Sequence, residues 1–287
     1  MTVAEAWQAG REHLAAQGID EAAITAEVLL RHSLNLSRAE LYLVWDRPID
    51  HSGFDRYQAY LDDRVRGRPV AYIIGHREFM GLDFLVDERV LIPRPETETL
   101  VDFVLGVTAG QTAPRIADVG TGCGAIAVSL AVARPTASLL ATDNSPDALI
   151  VARANAARHD VTDRVRFLLG DLVAPIAAAG DRVDVIACNP PYVSPRELAG
   201  LPREIRDFEP TGAVIAPDHA ESVHARLILE APAVLRPEGW LVMEVGAGQA
   251  SRVVELLETT IGYSAVQTRR DGLGWERVVA ARFNPTS

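Results

Sequence analysis

The sequence predicts an α/β protein: a doubly wound, Rossmann-like sheet of seven strands with an antiparallel last strand, preceded by a small helical bundle. Three observations predict this fold. Apolar strand candidates alternate with helical segments from about residue 113 onward. The last two strand candidates have little chain between them and should pair antiparallel. Residues 1–70 contain only helical periodicity.

The N-terminal segment, residues 1–70, is predicted to be a helical bundle that binds a substrate or covers a site. Thr2 and Ser37 are each followed three residues later by Glu, the pattern of a capping box. Asp20 is predicted to cap a helix over residues 21–34. The segment is slightly acidic, with eight Arg against eleven Asp plus Glu.

Residues 71–98 are predicted to be a β-hairpin connector made of short extended segments, the first of them over residues 71–75. Pro93 and Pro95 exclude a helix until about the end of this connector. A second, α/β domain is therefore predicted to occupy residues 99–287.

The predicted elements of this domain alternate along the chain. The predicted strands cover residues 115–119, 138–142, 165–169, 183–188, 240–245, 264–269 and 276–282. The predicted helices cover residues 124–133, 146–158, 220–235 and 248–260. Strands that alternate with helices in this way are typical of a parallel sheet with helices on both faces.

The composition excludes several classes of function. All 28 basic residues are arginine, which excludes a P-loop lysine and a Schiff-base lysine. The net charge of −11 argues against direct, sequence-specific nucleic acid binding. Cys123 and Cys188 match no zinc spacing, so we expect free thiols and no metal site. With neither a signal pattern nor a membrane-length apolar run, we expect a cytoplasmic protein. We also expect a monomer.

A glycine-rich turn, D-V-G-T-G-C-G at residues 118–124, follows the first predicted strand. Alternate glycines let the backbone turn sharply and let a ligand lie against it. The second strand ends at Asp143, where a carboxylate can accept both ribose hydroxyls of a nucleoside. The third leads to Asp171 and Leu172, which are placed to face adenine.

The spacing of these glycines favours one cofactor over another. A G-x-G-x-x-G turn would hold the pyrophosphate of NAD, whereas G-x-G-x-G favours S-adenosylmethionine. Taken alone, Asp143 or Asp171 could instead be a helix cap or a loop carboxylate that does not contact the cofactor. The predicted cofactor-binding residues are Gly120, Thr121, Gly122, Cys123, Gly124, Asp143, Asp171, Leu172 and Asn189.

The sequence N-P-P-Y at residues 189–192 directly follows the apolar strand at residues 183–188. The Asn189 side-chain carbonyl and the next backbone carbonyl are two acceptors, which suit an NH₂ group with two hydrogens to donate. The ring of Tyr192 can stack on a planar amide or base. A simple strand-to-loop turn is the alternative, because proline pairs often end strands.

The order of these motifs resembles the class I methyltransferases that modify planar nitrogens. The connector narrows the resemblance, because R-E-F-M-G at residues 77–81 and L-I-P-R-P-E-T-E at residues 91–98 are similar to peptide chain release factor glutamine-N5 methyltransferases, the HemK/PrmC family. The resemblance extends to W-E-R-V-V at residues 275–279 and covers essentially the whole chain.

The resemblance implies a class I methyltransferase fold and methyl transfer from S-adenosylmethionine to the glutamine amide of a release factor GGQ motif. It also implies the catalytic and substrate-binding residues. Asn189 and the Pro190 carbonyl would accept the two amide N–H groups, Tyr192 would stack on the amide plane, and Pro191 would fix the loop.

Several interpretations stay open at this level. Phe79 and Arg94 either line the methionine end of the cofactor site or are structural, the first as core packing and the second paired with Glu96 or Glu98. Glu244 is interpreted as a cap. The histidines His159, His219 and His224 are expected at the surface.

The sequence differs from the family pattern in two places, and three alternative functions remain to be considered. Residues 213–220 lack the glycine-rich turn usual in the family, and Leu172 replaces an aromatic found in some members. A ribosomal-protein glutamine methyltransferase, a nucleic-acid amino-methyltransferase and a non-catalytic binding module are the alternatives. The acidic N-terminal segment disfavours the nucleic-acid enzyme, which would normally carry a basic recognition domain.

Overall fold

The computed structural model describes residues 1–285 and divides the chain into two units. A helical unit contains Met1–His76 together with Pro202–Phe208. An α/β unit contains Arg77–Leu201 and the described chain from Glu209 onward. Nothing in the sequence predicted that a segment so far along the chain would join the N-terminal helices.

Five helices build the N-terminal part of the helical unit. They are α1 (Val3–Ala16), α2 (Ala22–Leu34), α3 (Arg38–Leu43), α4 (His51–Val65) and α5 (Val70–Ile74). Both predicted capping boxes are confirmed, because the Thr2 and Ser37 hydroxyls each accept from the backbone N–H three residues on at 3.2 Å. The buried side chains Leu14, Leu29 and Tyr57 belong to the core of this unit.

The predicted cap at Asp20 is wrong. The residue before α2 is Glu21, whose backbone is left-handed with φ of 52° and whose side chain makes no capping hydrogen bond. A capping side chain usually reaches the first helical amides from an extended backbone. The helix therefore begins one residue later than predicted and without a side-chain cap.

The predicted extended segment at residues 71–75 is also wrong, since Val70–Ile74 forms α5. Pro69 precedes this helix, and Gly75 ends it with φ of 78°. Proline at the start and glycine just past the end are typical helix boundaries. These boundary signals outweigh the β-branched residues between them. The hairpin that follows consists of β1 (His76–Phe79) and β2 (Leu82–Leu85).

The remaining elements form the predicted α/β architecture. The strands are β3 (Arg115–Val119), β4 (Ser138–Asp143), β5 (Val165–Leu169), β6 (Val183–Cys188), β7 (Leu235–Glu244), β8 (Tyr263–Arg270) and β9 (Glu276–Phe283). The helices, in chain order, are α6 (Glu98–Val107), α7 (Ala125–Ala133), α8 (Pro146–Arg158), α9 (Ala174–Ala178), α10 (Arg203–Phe208), α11 (Thr211–Val214), α12 (Ser222–Glu230) and α13 (Ala250–Thr259). Helix α10 lies in the segment that joins the helical unit.

The seven-stranded sheet has the order β5-β4-β3-β6-β7-β9-β8. Strand β9 runs antiparallel to both of its neighbours, and the other pairings are parallel. The predicted fold class is therefore confirmed. The predicted helix at 220–235 is too long, because α12 gives way to a short 3₁₀ turn containing Pro232, which has no backbone N–H to continue the helix.

Sheet topology decides where a ligand can bind. Strand β3 lies where the chain order reverses, with β4 on one side and β6 on the other. Val119, the last residue of β3, pairs with Thr142 and with Cys188, so three strands end side by side. The crevice beyond such a reversal is the usual ligand site of an open α/β sheet. No helix within residues 1–285 is long and apolar enough to span a bilayer.

Candidate active site

A cavity of about 420 Å³ lies at the carboxyl ends of β3, β4 and β6, within the α/β unit. Its volume falls in the range of about 300–1,000 Å³ that is typical of small-molecule sites. It is lined by the first four residues of the turn at 120–124, and by Asp143, Asp171, Leu172 and Asn189. The sheet thus brings the predicted cofactor-binding residues to one cavity, except that Gly124 does not line it, and their roles there stay predictions.

The glycine turn forms one wall of this cavity. Gly120, Gly122 and Gly124 have φ values of 74°, 55° and 85°, which side-chain-bearing residues rarely adopt. A methyl group built on Gly120 or Gly122 would meet no atom within 4 Å. The two glycines therefore border open space, as a backbone cradle for a ligand must.

Gly124 has a different, structural reason to be glycine. It precedes α7, and a Cβ here would lie 3.2 Å from the Cβ of Ala152 in α8. We expect Gly124→Ala to lower the free energy of unfolding by about 1–2 kcal/mol from backbone strain alone. Chemical denaturation measures this loss. Gly106→Ala is the matched control, because Gly106 lies in α6 with open space around it and its substitution should be neutral or stabilising.

Asp143 is held by the backbone around it. Its Oδ2 accepts from the Gly122 N–H at 2.8 Å, and its Oδ1 accepts from the Ser145 N–H at 2.9 Å. Burial raises the pKa of the Asp143 carboxyl, and these backbone N–H groups partly offset that rise. Each oxygen keeps a further lone pair, so the carboxylate can still accept from a ligand diol.

Asp118, the first residue of the turn motif, was not among the predicted site residues. It is fully buried, and its Oδ2 accepts from the Thr121 hydroxyl at 2.6 Å and from the Ala127 N–H at 3.1 Å. Burial raises its pKa to about 7. These two bonds hold the turn against α7, so Asp118 fixes the conformation of the glycine turn. The D-x-G spacing was the available signal.

Leu172 and Asp171 differ in what they offer. Leu172 lines the cavity, and its carbonyl accepts from the Thr142 hydroxyl at 2.9 Å. The Asp171 carboxylate accepts from Arg226 at 2.6 Å at a half-exposed rim. Leu172 is therefore placed as an apolar contact, whereas the side chain of Asp171 already has a partner.

The N-P-P-Y segment borders the cavity with Asn189, Pro190 and Pro191. The Asn189 Nδ2 donates to the Thr97 hydroxyl at 3.1 Å. Neither Asn189 Oδ1 nor the Pro190 carbonyl accepts a hydrogen bond from any residue among 1–285. Two acceptors at the cavity edge are thus left for a ligand.

Tyr192 is fixed at both ends. Its hydroxyl donates to Glu244 Oε1 at 3.2 Å, and its carbonyl accepts from the Gln249 side chain at 2.9 Å. Glu244 ends β7 as expected, but the N-cap position of the following helix, α13, is Gln249, so the interpretation of Glu244 as a cap is wrong. Sequence reasoning missed the roles of Thr97, Glu244 and Gln249, because no local pattern links them to residues 189–192.

Arg94 was predicted to pair with Glu96 or Glu98 if it is structural, and this is wrong. Its guanidinium bonds Glu209 Oε1 at 2.5 Å, and Glu209 is almost completely buried. Arg94 also lines the cavity, so it joins the connector to the segment after α10. Phe79 is buried and packs edge-on against Phe84, as expected of core packing.

The expected surface position of His224 is also wrong. His224 is fully buried, and its Nε2 lies 2.7 Å from the Glu244 carbonyl. Burial lowers its pKa, which keeps the ring neutral.

Cys123 and Cys188 are free and buried, and burial raises the pKa of both thiols. Within the described chain, no group of three or more His, Cys, Asp or Glu could hold a metal ion.

Comparison with solved structures supports the fold. A methyltransferase from Pyrococcus furiosus has a TM-score of 0.51 at 19% identity, over 79% of this chain and 98% of that one. The hMettl16 catalytic domain has a TM-score of 0.59 at 18% identity, over 79% of this chain and 80% of that one. Together with the glycine turn, Asp143 and the N-P-P-Y segment, this fold defines a class I S-adenosylmethionine-dependent methyltransferase.

The particular family follows from closer relatives. Residues 5–75 match the PrmC N-terminal domain, and residues 99–201 match the methyltransferase small domain. A release factor glutamine methyltransferase of Nitratidesulfovibrio vulgaris is 40% identical over 96% of this chain and 92% of that one. One from Koribacter versatilis is 39% identical over the full length of both. This chain belongs to the release factor glutamine methyltransferase family.

The residues of the cavity fit S-adenosylmethionine, the cofactor of the family. Asp143 offers acceptors suited to a ribose diol, Leu172 an apolar contact suited to adenine, and Gly120 and Gly122 an open backbone cradle. The turn contains no phosphate-binding lysine, since the chain contains none. When bound, the cofactor supplies an electrophilic methyl group on a sulfonium.

Proposed function

We propose that this protein methylates the side-chain amide nitrogen, N5, of the glutamine in the GGQ motif of peptide chain release factors. The observation that carries this proposal is the pair of unoccupied acceptors at Asn189 Oδ1 and the Pro190 carbonyl. A primary amide has two N–H donors in one plane, and these two acceptors match them. Because release factors act on the ribosome, the enzyme would meet its substrate in the cytoplasm.

An amide nitrogen is a poor nucleophile, since its lone pair is shared with the carbonyl. Asn189 Oδ1 and the Pro190 carbonyl would accept both N–H bonds and aim the nitrogen at the methyl group. As the nitrogen gains positive charge, these acceptors bind it more strongly than they bind the ground state. The ring of Tyr192 would stack on the amide plane. The proton can leave to solvent after transfer, so no strong base is needed.

One assay tests the proposal directly. The purified protein is incubated with methyl-labelled S-adenosylmethionine and, separately, with each release factor and with ribosomal proteins. Mass spectrometry then maps the methylated residue. We expect label on the GGQ glutamine alone, and no label when that glutamine is replaced by glutamate, which lacks the amide nitrogen. Label on a ribosomal-protein glutamine, or none on a release factor, would contradict the proposed substrate.

A further inference from the structure

Glu244 is a buried carboxylate to which the reaction described above gives no role. It ends β7 beside the N-P-P-Y segment and has no exposed surface. Burial raises its pKa to about 7, and the Thr97 hydroxyl, Arg277 and the Tyr192 hydroxyl act in the opposite direction. A buried, incompletely compensated carboxylate next to a reactive site is a candidate for function.

Glu244 bonds the Tyr192 end of the N-P-P-Y segment directly and lies near Thr97, which bonds the Asn189 end. Its Oε1 accepts from the Tyr192 hydroxyl at 3.2 Å. Its Oε2 has no hydrogen-bond partner among residues 1–285. The Thr97 hydroxyl forms no hydrogen bond to Oε2 in the structure, but it is near enough to lower the pKa of Glu244, and a turn of its proton would give Oε2 the missing partner. Thr97 in turn accepts from Asn189 Nδ2 at 3.1 Å.

The direction of these bonds decides which end of the Asn189 amide faces the cavity. A hydroxyl has one proton and two lone pairs. While the Thr97 proton points to a carboxylate, Thr97 presents a lone pair to Asn189. Asn189 must then present its NH₂ group to Thr97, which leaves Oδ1 for the substrate. If Thr97 instead donated to Asn189, the amide would reverse and offer N–H groups to a substrate that also donates N–H groups.

We propose that Glu244 is a positioning residue: through the Thr97 hydroxyl it fixes the orientation of the Asn189 amide, and through its bond to the Tyr192 hydroxyl it holds the aromatic ring. The ionised carboxylate only accepts hydrogen bonds, so it gives the Glu244–Thr97–Asn189 chain a single direction. This inference rests on the proposed function, since it concerns the amide that would bind the glutamine.

A protonated Glu244 could donate to Thr97 and reverse the chain, so kcat should fall as the pH falls through the ionisation of Glu244. Other titratable or charged groups face Glu244 from the elements around it. They are Tyr192 after β6, the Cys188 thiol at the end of β6, Arg277 on β9, Glu96 beside Thr97, and the neutral His224 on α12, which contacts the Glu244 backbone carbonyl. The pKa of Tyr192 is raised above its ordinary value, mainly by burial and to a smaller extent by Glu244. Its hydroxyl therefore stays protonated, and a donor, while Glu244 titrates.

The first test replaces the charge while keeping the shape. Glu244→Gln should lower kcat about 10- to 100-fold, the loss expected from a hydrogen bond to a charged group. The KM for the release factor and the Kd for S-adenosylmethionine should change less than about twofold. The variant should also lose the fall in kcat seen at low pH. Glu238→Gln, at an exposed position on the same strand, is the matched control and should behave as wild type.

The second test addresses the hydroxyl in the middle of the chain. Thr97→Val removes the hydroxyl at constant shape and should reproduce the loss in kcat, whereas Thr97→Ser should restore most of it. The double variant of Glu244→Gln and Thr97→Val should be no slower than the slower single variant, because both remove one coupled interaction. Additive losses with the wild-type pH profile would indicate a merely structural role and overturn the proposal.

A measurement without substrate keeps this inference separate from the proposed function. Hydrogen exchange of the Asn189 side-chain NH₂ is followed by NMR, with its signal assigned from Asn189→Ala. Exchange should be slow in wild type and faster in Glu244→Gln and Thr97→Val. Equal exchange in all three would overturn the positioning role even if release factors are methylated. Failure of wild type to methylate a release factor, with the exchange difference present, would overturn only the proposed substrate.

Discussion

Asn189→Ala is expected to lower kcat by about a hundred- to a thousandfold, the loss typical of removing one preorganised polar group that stabilises transition-state charge. Alanine removes Oδ1, which is one of the two acceptors proposed for the glutamine amide, and it removes the bond to Thr97. The backbone carbonyl of Pro190 would remain and hold one N–H. Single-turnover kinetics with a release factor substrate measures the loss.

Asn189 is also a predicted cofactor contact, but the ribose and adenine contacts are assigned to Asp143 and Leu172, so the same variant should retain most of its affinity for S-adenosylmethionine. Titration calorimetry tests this separation of chemistry from cofactor binding. Thermal unfolding checks that the variant is folded. Turnover within a few-fold of wild type, in a folded variant, would refute the role assigned to Asn189.

Asp143→Ala is expected to raise the Kd of S-adenosylmethionine about a hundredfold or more. Two hydrogen bonds to a carboxylate would be lost, and each contributes about 1.5–3 kcal/mol when buried. The substitution also frees the Gly122 and Ser145 N–H groups that the carboxylate accepts from, so the glycine turn loses a brace. At saturating cofactor, kcat should be much less affected than Kd.

Two further variants test whether the loss of affinity comes from the Asp143 carboxylate itself. Asp143→Asn keeps the shape and one acceptor, so its Kd should lie between those of wild type and alanine. Asp163→Ala removes a highly exposed carboxylate and should leave the Kd unchanged. An Asp143→Ala variant that binds the cofactor as tightly as wild type would remove the ribose assignment.

Much of the cavity lining was predictable because it depends on the order of elements along the chain. Residues 120–123 and Asn189 follow apolar strands, Asp143 ends another, and the carboxyl ends of parallel strands meet at one edge of the sheet. Capping at Thr2 was predictable for a related reason, since donor and acceptor are three residues apart and helix geometry fixes their distance.

Prediction from local sequence was wrong where helix-boundary residues and β-branched residues indicated different structures. It was also wrong where the backbone conformation of a single residue decided the position of a cap. Pro69 and Gly75 bounded a helix whose β-branched residues suggested a strand. The left-handed Glu21 displaced Asp20 from the capping position, although the composition there is typical of a cap. Such outcomes depend on how the segment packs, and the sequence window does not contain the packing partners.

The sequence by itself determined the fold class and predicted the methyl-donor site and the acceptors of the N-P-P-Y segment, because each follows from periodicity or from spacing within a few residues. Only the tertiary structure decided how those acceptors are held. Thr97 lies 92 positions from Asn189, Glu244 lies 52 from Tyr192, and Glu209 lies 115 from Arg94. Contacts at such separations arise from strand order and packing in three dimensions, and they leave no periodic pattern in the chain.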